Sequence, residues 1–548
     1  MAEQDTQEQT LTAVEPPQLP AVLDDAHIGD IKGALGTIRR DDVPPRGSWR
    51  GRLVALLAIM GPGLIVMVGD NDAGGVATYA QAGQDYGTSL LWVLLLLVPV
   101  LIVNQEMVVR LGAVTRVGHA RLILERFGRF WGAFSVVDLF VLNFLTIVTE
   151  FIGIAFALEY LGVTKYASVP VAAALLILMT STGSFQRWER MMFVFVAGNL
   201  LVIPLVVYAH PSWTRVVHDT FVPGIQGGVS STSVLLIIAL VGTTVAPWQL
   251  FFQQSNVVDK RITARWINYE RADTIIGSFV VVVGAAILII TTAFAFAGTR
   301  YQGRFKDALG VATGLEHTLG EPTGVLFALV LLNASIIGAG AITLATSYAF
   351  GDVFGFRHSL NRPPREARLF FGSYSGIVAL AAGVVLIPGA PLGLVTVTVQ
   401  ALAGVLLPSA SVFLLLLCND RDVLGPWVNT IWLNVVATVI VGALLMLSGI
   451  LMVTTVVPGV NVTLLLVVLA GLLVAGLATL GILGLRGREP APAATRAERE
   501  SWTMKPIALL GGPPRSRVRT VTMTTMYAYL FLAVALLAFK AAKLAGGL

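Results

Sequence analysis

The sequence predicts an all-α polytopic membrane protein: two five-helix repeats of opposite orientation, with further helices appended. Three observations carry this. Of 548 residues, 55% are hydrophobic and only 13% charged, where a soluble domain carries about 25% charged residues. Apolar stretches of about 20 residues, the length that crosses a bilayer, recur along most of the chain. The first and sixth of these stretches are interrupted by Gly, Pro and acidic residues at corresponding places. Together they exclude a soluble enzyme, a secreted disulfide scaffold and a β-barrel. The one cysteine, Cys418, has no intramolecular partner and reads as packing at a helix end.

Taken in order, residues 1–50 are polar and Pro-containing and read as a disordered tail. The first apolar run starts near Leu53 and is not followed by a signal-peptide cleavage pattern. The transmembrane unit is expected over 51–486, with spans at 53–84, 88–112, 131–161, 167–183 and 191–210. The second repeat, 232–418, holds spans at 232–256, 272–297, 322–350, 369–388 and 391–418. Two more follow at 427–453 and 460–485. A basic segment, 487–523, precedes a short apolar run at 524–539 whose length leaves open a thirteenth span or an interfacial helix within 524–548.

Lys and Arg set the orientation, because cytoplasmic loops accumulate them. With the N-terminus inside, the inner loops hold Arg116, Arg121, Arg126 and Arg129, then Arg187 and Arg190. Lys260, Arg261, Arg265 and Arg271 follow, and then Arg357, Arg362, Arg365 and Arg368. The outer loops are poorer, with Lys165, Arg215, Arg300, Arg304 and Lys306. The expectation is a multi-pass protein of the cell membrane with a cytoplasmic N-terminus. The basic C-terminal segment has only Trp502 as a stacking platform and is interrupted by prolines, so lipid contact rather than nucleic-acid binding is expected.

Polar groups inside a span face a bundle interior or a watery cavity. The first span contains Gly69-Asp70-Asn71-Asp72-Ala73-Gly74-Gly75, two carboxylates beside a glycine pair. The sixth contains Gly242-Thr243-Thr244-Val245-Ala246-Pro247-Trp248-Gln249, where Pro247 removes a backbone donor. Unwound backbone at membrane depth is tolerated only where it lines a cavity. Breaks in spans 1 and 6 define repeats 1–5 and 6–10, the LeuT-type arrangement. Carboxylates, carbonyls and hydroxyls are hard donors suited to Mg²⁺, Mn²⁺ or Ca²⁺.

In these residues the chain resembles the natural-resistance-associated macrophage protein (NRAMP) transporters of divalent metals. The landmarks are Gly61-Pro62-Gly63, Asp72-Ala73-Gly74-Gly75 where the family has Asp-Pro-Gly-Asn, and Leu91-Trp92. Further along come Gln105-Glu106-Met107 through Gly112, Thr149-Glu150-Phe151, Ala246-Pro247-Trp248-Gln249-Leu250 in place of Met-Pro-His-Asn-Leu, and Asp273-Thr274. The resemblance implies a metal site at Asp72, Gly75 and Ala246, with the carbonyls of Gly69 and Thr243. Gln400 lies where a family Gln approaches. Asp70 and Thr244 are added by the residues themselves. Of the family's three side-chain ligands only the Asp remains, and loss of the thioether removes the soft donor that favours Mn, Fe, Co and Cd. The sequence therefore looks like the magnesium-transporting branch, with Mg²⁺ and then Mn²⁺ as transported substrates and no cofactor.

The resemblance also implies a proton path through sixth-span histidines and a third-span Asp, but Trp248, Gln253 and Ile147 stand there. Glu150 remains, as a relay or a structural group. Weak or absent proton coupling is expected. A divalent ion entering through 100 mV gains about 4.6 kcal/mol from the membrane potential alone. Glu106 and Arg110, four apart on one helix face, read as a gate or a surface pair; Trp248 reads as packing or an inner-gate shield. The competing readings are a proton-coupled Mn²⁺/Fe²⁺ symporter, an amino-acid or sodium symporter of the same fold, and a membrane sensor without transport.

Overall fold

Backbone groups in a bilayer must be satisfied within their own segment, and each expected stretch is helical. The computed structural model describes residues 25–42, 48–390, 392–457, 459–486, 495–510, 519–529 and 531. Ten helices among these are long and apolar enough to cross a membrane, from Leu91–Thr115 to Val462–Thr479. The interrupted first span and the shorter Lys165–Thr180 complete the expected twelve. The protein is a multi-pass membrane protein.

Spans 3 (Arg129–Tyr160), 4 (Lys165–Thr180), 8 (Glu321–Phe354) and 9 (Arg368–Val385) pack on one another as one group. The pieces of span 1 pack on span 7 (Ile267–Phe296), which with the second half of span 6 packs on span 2 (Leu91–Thr115). Span 10 (Leu392–Cys418) lies along the first half of span 6, and span 5, starting at Phe185–Gly198, touches both groups. This is the LeuT-type architecture.

Span 1 is in three pieces rather than the two expected. Trp49–Ile59 is bent by 54° against Pro62–Asp70, and Ala73–Tyr86 follows the second break. Gly61 makes the first turn with φ +153°, and Pro62 starts the next helix. Span 6 is in two pieces, Ser231–Thr244 and Pro247–Asp259.

The reading of 1–50 as a disordered tail is corrected over 25–42. Ile31–Gly33 and Gly36–Ile38 pair as an antiparallel hairpin. Ile31 and Ile38 are buried with Ala55, Ala58 and Ile59 of the first helix and Val257 and Ile262 at the end of span 6. A hairpin this short is not stable alone and forms here on a surface supplied by distant residues. Gln186 donates to the Gly33 carbonyl at 2.9 Å, Arg190 to that of Ala34 at 3.1 Å, and Arg261 to that of Ala26 at 2.9 Å. We call this face of the protein the tail side. Of the 524–539 run, 524–529 continues a helix whose Tyr527 packs on Trp131 and whose Tyr529 bonds Ser448 at 2.5 Å. The remainder, apart from residue 531, lies outside the described residues.

Candidate metal site

The site forms where the ends of four half-helices meet. In an unbroken helix the Ala73 N–H would bond the Gly69 carbonyl; it bonds Glu150 Oε2 instead, at 3.0 Å. The Gly75 N–H goes to Asp72 Oδ1 at 2.7 Å. Asp72 is thus the N-cap of Ala73–Tyr86, satisfying a donor that the helix start leaves open. Across the gap, Pro247 has no N–H to offer the Thr243 carbonyl. Neither helix break leaves the Gly69 and Thr243 carbonyls their i+4 backbone donor.

The two aspartates sit at helix ends of opposite sign. Asp72 stands at the positive end of Ala73–Tyr86, and Asp70 at the last, negative turn of Pro62–Asp70. Both are buried. Neither Asp70 carboxylate oxygen has a hydrogen-bond partner among the described residues; its acting neighbours are Asp72 and the Gln249 amide. An unpaired buried carboxylate at a helix C-terminus calls for a cation.

The glycines fix how closely the walls approach. A Cβ on Gly75 would stand 3.0 Å from the Asp70 carbonyl and 3.2 Å from Thr243 Oγ1. On Gly74 it would overlap Gln400 Nε2, so Gln400 lies directly over the break. Thr243 Oγ1, Gln400 Nε2 and Gln249 Nε2 have no hydrogen-bond partner among the described residues. Thr244 is committed elsewhere: its hydroxyl bonds the Leu240 carbonyl at 2.7 Å and Tyr79 at 2.9 Å. Ala246 caps the second half of span 6 and offers no side-chain donor. Among the described residues no three His, Cys, Asp or Glu side chains form a metal cage, so a cation here would draw on carbonyls, Thr243 and the amides as well as carboxylate.

Glu150 sits beside Asp72, since a Cβ on Gly338 of span 8 would touch both. Its bond to Ala73 gives it a second-cap role at the same helix start. Trp248 is buried, edge-on to Phe252 at 5.9 Å, and its ring covers Gly69 on the tail side. From the other face a crevice lined by Ala73, Ala77, Gly153, Phe305 and Thr396 reaches the break.

The reading of Glu106 and Arg110 as a surface pair is corrected. Arg110 is 3% exposed. It bonds Glu106 at 3.1 Å, Asn429 Oδ1 at 2.5 Å and the Trp427 carbonyl. Arg271 joins Glu106 at 2.6 Å, so the group ties span 2 to span 7 and to the start of span 11. Sequence reasoning missed Gln105, whose Nε2 donates to Gln249 Oε1 at 3.2 Å, and Tyr79. The signal was there for the amides: Gln249 and Gln253 are four apart on one face of a membrane span.

A sequence profile described as natural resistance-associated macrophage protein-like matches residues 63–454. A divalent metal cation transporter MntH of Ralstonia nicotianae is 32% identical over 398 residues, covering 68% of this chain and 86% of its own. One from Staphylococcus aureus is 27% identical over 428 residues, covering 73% and 91%. The crystal structure of an Eremococcus coleocola manganese transporter superposes with a TM-score of 0.62 at 21% identity, covering 81% of this chain and 97% of that one.

Proposed function

The chain belongs to the natural resistance-associated macrophage protein family, and from that premise we propose that it moves divalent metal cations across a membrane, Mg²⁺ foremost and Mn²⁺ second, by alternating access with weak or no proton coupling. The observation that carries the reading is Asp70: a buried carboxylate without a hydrogen-bond partner among the described residues, at the meeting point of two broken helices. Asp72, the Gly69 and Thr243 carbonyls and the Thr243 hydroxyl complete a set of oxygen donors. Such a set suits a hard ion that keeps several of its waters.

The same geometry supports alternation. Trp248 and the docked tail close one side, while the crevice at Ala73 opens towards the other. The tail side is the cytoplasmic one in this proposal. Glu150, tied to the Ala73 amide, holds the helix start in place, and span 6 supplies Trp248 and Gln253 where a coupled transporter would have histidines. The inward-negative potential then drives entry.

The test is paired Mg²⁺ and Mn²⁺ uptake into proteoliposomes with an internal pH dye, comparing wild type with Asp72→Asn and Asp70→Asn. Asn keeps the cap at 72, so loss of flux there reports charge rather than unfolding. We expect Mg²⁺ uptake without matching acidification, and its loss in both variants. Good Cd²⁺ flux with no Mg²⁺ flux refutes the branch, and acidification one for one refutes uncoupled transport. The second reading, a proton-coupled Mn²⁺ symporter, draws on the manganese transporters among the structural neighbours.

A further inference from the structure

Span 7 begins on the tail side, where Trp266 and Ile267 pack with the hairpin, and its first turn holds a carboxylate that nothing answers. Glu270 is fully buried, and neither of its oxygens has a hydrogen-bond partner among the described residues. The groups that act on it are Asp273 one turn on, Lys260 and Gln253 from span 6, and Glu189 from span 5. Span 2 turns its charges elsewhere, with Glu106 holding both Arg110 and Arg271. Span 1 meets the group with backbone alone. The Gly61, Gly63 and Leu64 N–H groups donate to Asp273 at 3.0, 2.8 and 3.2 Å, and the Ile59 and Met60 carbonyls accept from Lys260.

The charges around Glu270 already balance without it. Glu189 and Asp273 bring two negative charges and Lys260 one positive, while the starts of Pro62–Asp70 and of span 7 add about half a positive charge each. An ionised Glu270 would be a further buried charge with nothing to offset it. Gln253 shows what is missing. Its Nε2 donates to Thr274 Oγ1 at 2.9 Å, which leaves Oε1 an acceptor without a partner among the described residues. Two neighbouring sets of unanswered acceptors lack one hydrogen between them.

We propose that Glu270 carries a proton, donated to Gln253 Oε1, and that this proton locks the tail side shut. Opening draws span 1 away from Asp273 and Lys260 and lets water reach Glu270. The carboxyl O–H then ionises: the electron pair stays on the carboxylate and the proton passes to that water. Closing takes a proton back from the same face. Because it leaves and returns on one side, pH sets the rate while no proton crosses the membrane with the metal. This presupposes the alternating-access transport proposed above and adds its regulation by protons.

The test is Mg²⁺ uptake into proteoliposomes held at one pH on both sides, varied over roughly pH 6 to 9. Equal pH removes any proton gradient and makes the orientation of the protein in the vesicle immaterial. Wild-type uptake should rise with pH by up to about tenfold per unit, the slope of a one-proton equilibrium. Glu270→Gln keeps the size and a donor for Gln253 Oε1, so it should be slow at every pH, with that slope gone. Gln253→Met removes the acceptor of the proton and should move the rise to lower pH by about one unit, the worth of one hydrogen bond. If wild-type uptake does not rise with pH, if Glu270→Gln keeps the slope, or if the Gln253→Met shift is absent or upward, the lock is refuted and the transport reading stands. If wild type takes up no divalent cation, both fall together.

Discussion

Removing the Lys260 ammonium tests the tail-side arrangement most directly. Lys260 Nζ bonds Glu189 Oε1 at 2.6 Å, the Ile59 carbonyl at 2.7 Å and the Met60 carbonyl at 2.9 Å. Both charged side chains are wholly buried. The other Glu189 oxygen accepts the Ala34 N–H of the hairpin at 2.5 Å. Lys260 therefore joins the tail, the bend in span 1, span 5 and the end of span 6. Lys260→Met keeps most of the apolar stem, so the cavity left is small. It leaves Glu189 buried without its counter-charge, which costs about 3–5 kcal/mol. Each of the two carbonyls adds about 1 kcal/mol or more if it stays dry. The single substitution should thus cost roughly 5 kcal/mol, a large part of an ordinary stability. In Lys260→Met with Glu189→Leu neither member of the pair is left without its partner, and the two changes should cost less than the sum by about 2–4 kcal/mol. A double-mutant cycle on the full chain in detergent, read by denaturation, measures this. A Lys260→Met cost under about 1 kcal/mol, or strict additivity, refutes the assigned role.

Three further outcomes are expected. Burial holds the His119 imidazole down to about 4, against Gln254 and Asp352, which favour its charged form; the unfolded chain then binds more protons between about 6.5 and 4, so stability falls as pH drops through that window, by roughly 3 kcal/mol in full. His119→Gln should flatten that slope in a pH series of denaturation curves, and an unchanged slope counts against it. Gly75→Asn with Ala246→Met should shift selectivity in liposome flux from Mg²⁺ towards Cd²⁺ and Mn²⁺, because it adds a soft donor to a tighter pocket; unaltered selectivity would mean the ion does not sit there. A Cβ on Gly33 would overlap the Ala58 carbonyl, so Gly33→Val should detach the hairpin and let trypsin cleave at the exposed Arg39 and Arg40 faster than in wild type, because the loosened chain fits a protease site more readily, as peptide mapping would show.

Legibility followed the range of the forces involved. The two breaks could be read because Gly74-Gly75 and Pro247 act on their own backbone, and the twelve spans because apolar length is a local property. The division of labour between Asp70 and Asp72 could not, since it depends on which helix end each carboxylate meets. Lys260 was counted as a loop charge, but a rule that tallies Lys and Arg along the chain cannot see Glu189, 71 residues away. Arg110 was misplaced for the same reason, its Asn429 partner lying 319 residues on. The hairpin was the least readable element: two three-residue strands carry little pattern, and what holds them is contributed by the first helix and by spans 5 and 6.

That hairpin also puts a clock on biosynthesis. Ala26 waits for Arg261, 235 residues downstream, and a ribosome adding about 5–20 residues per second needs roughly 10–50 s to supply it. Through that interval the N-terminal segment has only the first helix and then span 5 to fasten to, and the bend at Gly61 lacks the lysine that later braces it. Assembly must therefore finish where translation began, with the earliest residues among the last to find their seats.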